Sequence, residues 1–234
     1  MDSQNIFFEA TRLIVMGDAQ LMGIIALSLV VTFVAVAIAC LIGLPLGAAM
    51  AVFRFPGRGI LNLITAAGMG LPPVVVGLVL YLLFSQAGPL AVLDLLYTPG
   101  AMIIAQVILV TPIVTTISQQ VISDLYEEYG ETLRAMRASG WAKMTTLLRD
   151  GAPALVTAAL AGLGRAFAEV GAVMIVGGNI NHATRVMTTA IALETSRGAL
   201  ELALALGIVL LIMSLCVSAL LITVRRSLGG LQYA

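Results

Sequence analysis

The sequence predicts an all-α, polytopic membrane protein with about five transmembrane helices and one polar insert between spans. Three observations carry this. The 234 residues are 60% hydrophobic and only 10% charged, with a mean hydropathy of +1.08, more apolar side chain than a water-soluble domain of this size can cover. Five apolar segments reach the roughly 20 residues needed to cross about 30 Å of hydrocarbon. The basic residues gather in alternate connections between those segments, as the positive-inside rule requires.

Taken in order, the spans run over Leu21–Phe53, Leu61–Phe84, Ala101–Ile122, Ala152–Val176 and Leu200–Val224. They fill most of the chain and imply a single membrane domain over 1–234. Residues 1–20 contain Asp2, Glu9 and Asp18 with Arg12 as the one basic side chain, so no cleavable leader is expected. Within them Ile6, Phe7, Phe8, Leu13 and Ile14 suit a short interfacial helix. The first span has 33 uncharged residues, about 50 Å as a helix. Tilt, extension beyond the bilayer or a kink at Pro45 would absorb the excess.

The second span carries Pro72-Pro73 among Gly68, Gly70 and Gly77. Proline removes a helix donor, so a break or bend is expected there. Non-helical backbone at membrane depth survives only when buried in protein or lining a wet cavity. Pro72 and Pro73 are therefore either a hinge on a solute path or a static kink.

The fourth span contains Arg165 and Glu169, spaced i and i+4 as on one helix face. Charges there are costly enough to turn inward, as a structural ion pair or as neighbours of a solute path. After it, 177–199 reads as a donor-rich outer loop that includes Asn179, Thr184 and Arg185. That loop would meet a solute or a docked protein, or simply be solvated. Gly177-Gly178 would end the preceding helix, and Thr184 to Glu194 is a candidate short helix.

Charge placement sets orientation. With the N-terminus and residues 1–20 outside, the inner connections hold Arg54, Arg58, Arg134, Arg137, Lys143, Arg149, Arg225 and Arg226. The outer ones hold Arg12, Arg185 and Arg197. Eight against three places the insert at 124–150 and the C-terminus in the cytoplasm.

Several function classes fall away. A net charge of zero removes the electrostatic case for nucleic acid. Cys40 and Cys216 lie inside apolar spans and read as buried thiols, and His182 is the one histidine, so no metal site or catalytic constellation is expected. A stand-alone secondary transporter would want more intramembrane ionisable residues than Arg165 and Glu169.

The insert from Asp124 to Leu148 reads as two short helices with a break near Ser139-Gly140. It mixes apolar Leu133, Met136 and Trp141 with charged Glu131, Arg134 and Arg137, as an amphipathic segment lying in a partner's groove would. The run from Glu131 through Ala138, Ser139 and Gly140 to Trp141 resembles the EAA loop of ABC importer permeases. Thr132 and Leu133 replace the family's two alanines, Arg137 occupies its usual glycine position, and Arg149-Asp150 stands in place of Leu-Pro. Gly164-Arg165-Ala166-Phe167-Ala168-Glu169-Val170-Gly171, followed by Gly177-Gly178-Asn179-Ile180, is similar to the molybdate, tungstate and sulfate permeases. Thr184-Arg185-Val186-Met187-Thr188-Thr189 through Glu194 is most similar to the tungstate branch.

This resemblance, over about Leu21 to Val224, implies the ABC importer permease fold. It implies a homodimer in a bacterial or archaeal plasma membrane, worked by two cytoplasmic ATPase subunits and fed by an extracytoplasmic binding protein. The implied solute is tungstate, with molybdate or sulfate as alternatives. Glu131, Arg134, Met136, Arg137, Ala138, Ser139, Gly140 and Trp141 would then couple to the ATPase. Pro72, Pro73, Arg165, Glu169, Asn179, Thr184 and Arg185 are candidates for the path or gate. No cofactor is expected on this chain. Lys143, its one lysine, follows Ala142 rather than a glycine-rich turn, so ATP and Mg belong to the partner.

Overall fold

The computed structural model describes Arg12, Met16 and residues 18–230, except the side chains of Arg225 and 228–230. The interfacial helix expected over Ile6–Ile14 lies outside them.

Among the described residues nine α-helices follow one another: α1 Ala19–Val52, α2 Arg58–Met69, α3 Pro73–Phe84, α4 Pro99–Ala135, α5 Gly140–Asp150, α6 Ala152–Phe167, α7 Gly171–Gly177, α8 Met187–Arg197 and α9 Leu200–Gly230. A 3-10 turn at Ala91–Leu93 joins α3 to α4. Among the described residues three helices are long and apolar enough to cross a membrane: α1, α4 and the Leu200–Val224 part of α9. The pairs α2–α3 and α6–α7 bring the total to five when each counts as one bent span.

The span containing Pro72-Pro73 is broken as expected, with a bend of 105°. Pro72 is extended at φ −67°, ψ 121°, and α3 restarts at Pro73, where a missing N–H costs nothing. Pro45 behaves differently. It sits inside the continuous 34-residue α1, so helix length rather than a break takes up the excess.

The insert departs from expectation at its start. Asp124 to Ala135 is the end of the 37-residue α4 rather than a separate short helix. Good helix formers (Leu125, Glu127, Glu128, Glu131, Leu133, Arg134) carry the apolar helix on into a polar one, through Gly130. The fourth span departs too: it is divided, α6 ending at Phe167 and α7 following at a bend of 59°. Cys216 is exposed and Cys40 half-buried, so only part of the expected burial is met: Cys216 lies on the outward side of α9.

Contacts cluster into two compact units. Unit 1 comprises 1–35, 72–106 and 166–217; unit 2 comprises 36–71, 107–165 and 218–234. The core of unit 1 joins Leu21 and Ile24 of α1, Met187 and Ala190 of α8, and Leu206 and Val209 of α9. The core of unit 2 joins Ala48 and Ala51 of α1, Ile122 of α4, Met144 and Leu147 of α5, and Leu155 of α6.

A close seam in unit 2 brings α1 against α4. A Cβ on Gly47 would lie 2.4 Å from the Thr115 carbonyl oxygen and 2.7 Å from Gln119 N. Ser118 Oγ donates to the Leu44 carbonyl at 2.9 Å across the same seam. Small residues with a hydroxyl crosslink are how helices associate where lipid supplies no hydrophobic drive. Gly47→Ala should therefore lower stability by about 1–3 kcal/mol, measured by thermal unfolding in detergent. Gly23→Ala, with nothing within 4 Å of its Cβ, should leave the midpoint unchanged or raise it.

Candidate functional site

Two places in the molecule depart from plain helix packing: a polar, broken-helix region in unit 1 and the elbow between α4 and α5 in unit 2.

The unit 1 region starts from the gap between α6 and α7. Ending a helix inside a membrane protein orphans backbone groups that lipid cannot satisfy. Side chains supply the partners here. Gln106 Nε2 donates to the Ala166 carbonyl at 3.3 Å, and Thr188 Oγ1 donates to the Glu169 carbonyl at 2.9 Å. The Glu169 carboxylate accepts from Ala172 N at 2.9 Å. Glu169 is 2% exposed and Arg165 half-buried, so both face inward as expected. Their expected placement along one helix face fails, because α6 stops before Glu169. The chain needs the carboxylate at the mouth of α7.

The segment 177–199 is not a solvated loop. Gly178 does end α7, at φ 69°, where a Cβ would meet Tyr97 at 2.7 Å. Residues 187–197 then form α8, and the segment buries Asn179, Thr184, Arg185, Thr189 and Glu194. Asn179, at φ 50°, donates through Nδ2 to the Thr189 carbonyl at 3.2 Å, and its Oδ1 accepts from Thr189 Oγ1 at 3.0 Å. Thr184 Oγ1 donates to the Gly177 carbonyl and accepts from Ile180 N. Met187 N donates to Ser28 Oγ at 2.8 Å, tying the start of α8 to α1. Short side-chain hydroxyls and amides thus replace the missing helical ladder, which is why so polar a stretch can pack inward.

One carboxylate holds two cations. Glu194 Oε1 lies 3.7 Å from Arg185 Nη1 and 3.5 Å from Arg197 Nη1, and Arg185 itself is 9% exposed. Pro72 and Pro73 lie at the α2–α3 break, and Gly77 on α3 meets α7 so closely that a Cβ would touch Ala172 Cα at 2.8 Å.

Residue order alone missed Ser28 and Gln106 as members of this region, and named Thr188, Thr189 and Glu194 only within the 177–199 segment without a role. A signal was available for the first two, since each is a polar residue inside an apolar span.

At the elbow, α4 ends with two tail bonds: Arg137 N donates to the Arg134 carbonyl at 2.9 Å, and Ala138 N to the Leu133 carbonyl at 3.0 Å. That pairing places Arg137 in the left-handed region, at φ 53°, the conformation glycine adopts most readily. Ser139 then caps α5 by accepting from Ala142 N at 3.2 Å. Gly140 fits against the Phe53 ring, and Leu133 packs on the unit 2 core. Everything else points away. Met136 is 73% and Trp141 67% exposed, flanked by exposed Glu131, Arg134 and Arg137. Glu131 and Arg134 pair loosely at 4.0 Å. Beside the elbow opens a cleft of about 700 Å³ lined by Arg54, Arg58, Tyr126, Glu127, Glu131 and Arg134 among others.

The family described as "binding-protein-dependent transport system inner membrane component" matches residues 43–228. The chain belongs to that family. It is thus a multi-pass membrane permease subunit rather than an enzyme.

The chain is 38% identical over 213 residues to a probable anion ABC transporter permease of Haloferax volcanii, covering 88% of this chain and 92% of that one. It is 36% identical over 220 residues to the tungstate uptake system permease protein TupB of Peptoclostridium acidaminophilum, covering 94% and 96%. The TupB protein of Campylobacter jejuni is 35% identical over 175 residues, covering 75% and 73%. Sulfate and molybdenum transport permeases match at lower identity.

Two carboxylates in this permease should respond very differently to neutralisation. Glu194→Gln leaves Arg185 buried without its counter-charge and should cost about 3–5 kcal/mol. Glu131→Gln, at a mostly exposed pair, should cost no more than about 1 kcal/mol. Thermal unfolding of the purified variants compares the two directly.

Proposed function

We propose that this permease imports a tetrahedral oxyanion, tungstate, as the membrane half of an ATP-driven transporter. Two copies of the chain form the conduit, two cytoplasmic ATPase subunits with ATP and Mg drive it, and an extracytoplasmic binding protein delivers the solute. The choice of tungstate draws on the relatives named for tungstate uptake, which match over more of this chain and at higher identity than the sulfate and molybdenum permeases.

The single observation that carries the coupling role is the exposed elbow. A Trp, a Met and three charged side chains project from a backbone anchored by Leu133, Gly140 and Ser139. Partly exposed aromatic and Met side chains ringed by charge are what a protein interface uses as anchors. The division into units follows the charge sorting that set the orientation. All eight basic residues assigned inside fall in unit 2, and the three assigned outside fall in unit 1.

The mechanism follows from that geometry. Nucleotide binding closes the ATPase dimer, carries the two elbows together and biases the permease toward its outward-open state; hydrolysis resets it. Nucleotide can do this only through unequal affinity for the two states, about 5.5 kcal/mol for a shift from 1:99 to 99:1. Docking at Trp141 and Met136 has to be firm enough to transmit that difference. On the solute side, Arg165 beside the α6–α7 break lowers the barrier for a dianion, while Glu169 limits how tightly it is held.

Reconstitution with the ATPase and binding protein should give ATP-dependent uptake of tungstate in preference to molybdate or sulfate. Uptake without any ATPase, or a clear preference for sulfate, overturns the reading. Trp141→Ala should lower ATP-driven uptake at least tenfold, a loss of about 1.4 kcal/mol or more, while the permease alone keeps its melting temperature. Arg137→Gly relieves a left-handed residue and should stabilise the isolated permease by about 1 kcal/mol, yet weaken ATPase binding in a pull-down.

A further inference from the structure

A small void lies within unit 1 beside the α6–α7 break. It measures about 10 Å³ and meets side chains of α1, α4, α6, α8 and α9. Four of its ten lining residues are polar: Ser28 and Thr32 of α1, Gln106 of α4 and Thr188 of α8. All ten belong to unit 1, and apart from Thr188 and Leu210 they are buried. No ionisable side chain lines it.

We infer that this void is a binding site for one water molecule, which bridges α1 to the start of α8. Three observations converge. First, Thr32 is 4% exposed, and its hydroxyl has no hydrogen-bond partner among the described residues. Other helical threonines behave differently: Thr65, Thr111, Thr115 and Thr116 each donate to the carbonyl four residues back. Thr32 makes no such bond, although it stands well inside α1. A buried hydroxyl with nothing to bond is costly, and buried polar groups are normally satisfied by protein or by ordered water.

Second, the neighbours offer what a water needs. Ser28 Oγ donates to the Ile24 carbonyl and accepts from Met187 N, which leaves it one lone pair. Thr188 Oγ1 donates to the Glu169 carbonyl and keeps both lone pairs. A water that accepts from Thr32 can donate to these two oxygens, which gives it the two to four polar partners typical of buried water. Third, the size is right. A single water needs about 10–15 Å³ of such space, so one molecule fits and a second does not. Gln106 closes another wall, its Nε2 already donating to the Ala166 carbonyl. Its Oε1 is fully buried and turns almost no surface to the void, so the site does not depend on it.

The consequence lies at the break. Thr188 holds the Glu169 carbonyl there, and α8 is fixed to α1 through Met187 N on Ser28 Oγ. A water shared by Thr32, Ser28 and Thr188 adds a second bridge between the same two helices, nearly as good as a direct hydrogen bond. This holds whichever anion the permease carries.

The complete transporter, with its ATPase subunits, is imaged in lipid nanodiscs at a resolution that shows ordered water elsewhere in the map. The expected result is one peak within hydrogen-bonding distance of Thr32 Oγ1 and of Ser28 Oγ or Thr188 Oγ1, lost in Thr32→Val. Melting temperature gives a second reading whose sign differs between the two cases. In a dry void, Thr32→Val removes an unbonded buried hydroxyl, and the midpoint holds or rises. With water bound, the same change breaks the bridge, and the midpoint falls by about 2–4 °C. A map with ordered water elsewhere but none here overturns the inference, as does a Thr32→Val variant that melts at or above the wild type. A peak that follows the sodium content of the buffer also overturns it, because the occupant is then a cation.

Discussion

The rest of this structure depends on one constraint: every backbone polar group at membrane depth has to find its partner within the protein. Three of the five spans meet it with unbroken helix. The other two are interrupted, and at the α6–α7 interruption the partners come from elsewhere in the chain. Gln106 reaches from α4, Thr188 from α8, and Glu169 turns back on its own segment. A carboxylate that is 2% exposed would be expensive as a bare charge. As an acceptor at the mouth of α7 it has a structural task whether or not it also meets solute.

The same constraint explains why so polar a stretch as 179–189 is packed inward. Asn179, Thr184 and Thr189 carry short side chains that bond locally to backbone, and here each closes a loop of that kind within unit 1. A charged pair follows, with Glu194 neutralising Arg185. What looks in one dimension like a surface loop is in three dimensions the filling of a broken helix.

The large features were legible in residue order because they rest on amount and periodicity. Five apolar runs correspond to three membrane-length helices and two bent pairs, Pro72-Pro73 marked a break, and Gly177-Gly178 marked a stop. The local failures have physical reasons. The i, i+4 spacing of Arg165 and Glu169 presumes a continuous helix, and nothing local announces that α6 stops at Phe167. The polar start of the insert suggested a new helix, yet Leu125 to Leu133 holds enough helix formers (two Leu, three Glu) to prolong α4 through Gly130. Gln106 and Ser28 looked like isolated polar residues, because their partners are 60 and 159 positions away. Arg137 was visible as a departure from the family's glycine, but only its positive φ reveals that the backbone keeps glycine's conformation.

The unbroken length of α4 has a mechanical corollary. From Ile122, where its apolar run ends, to Ala135 the helix climbs about 20 Å at 1.5 Å per residue. The lipid headgroup layer is only about 5–8 Å deep on each side. That length exceeds the depth of the headgroup layer, so a helix standing near the bilayer normal carries its tip past the phospholipid surface. The exposed elbow is thus mounted on the end of the same continuous helix that carries the apolar run.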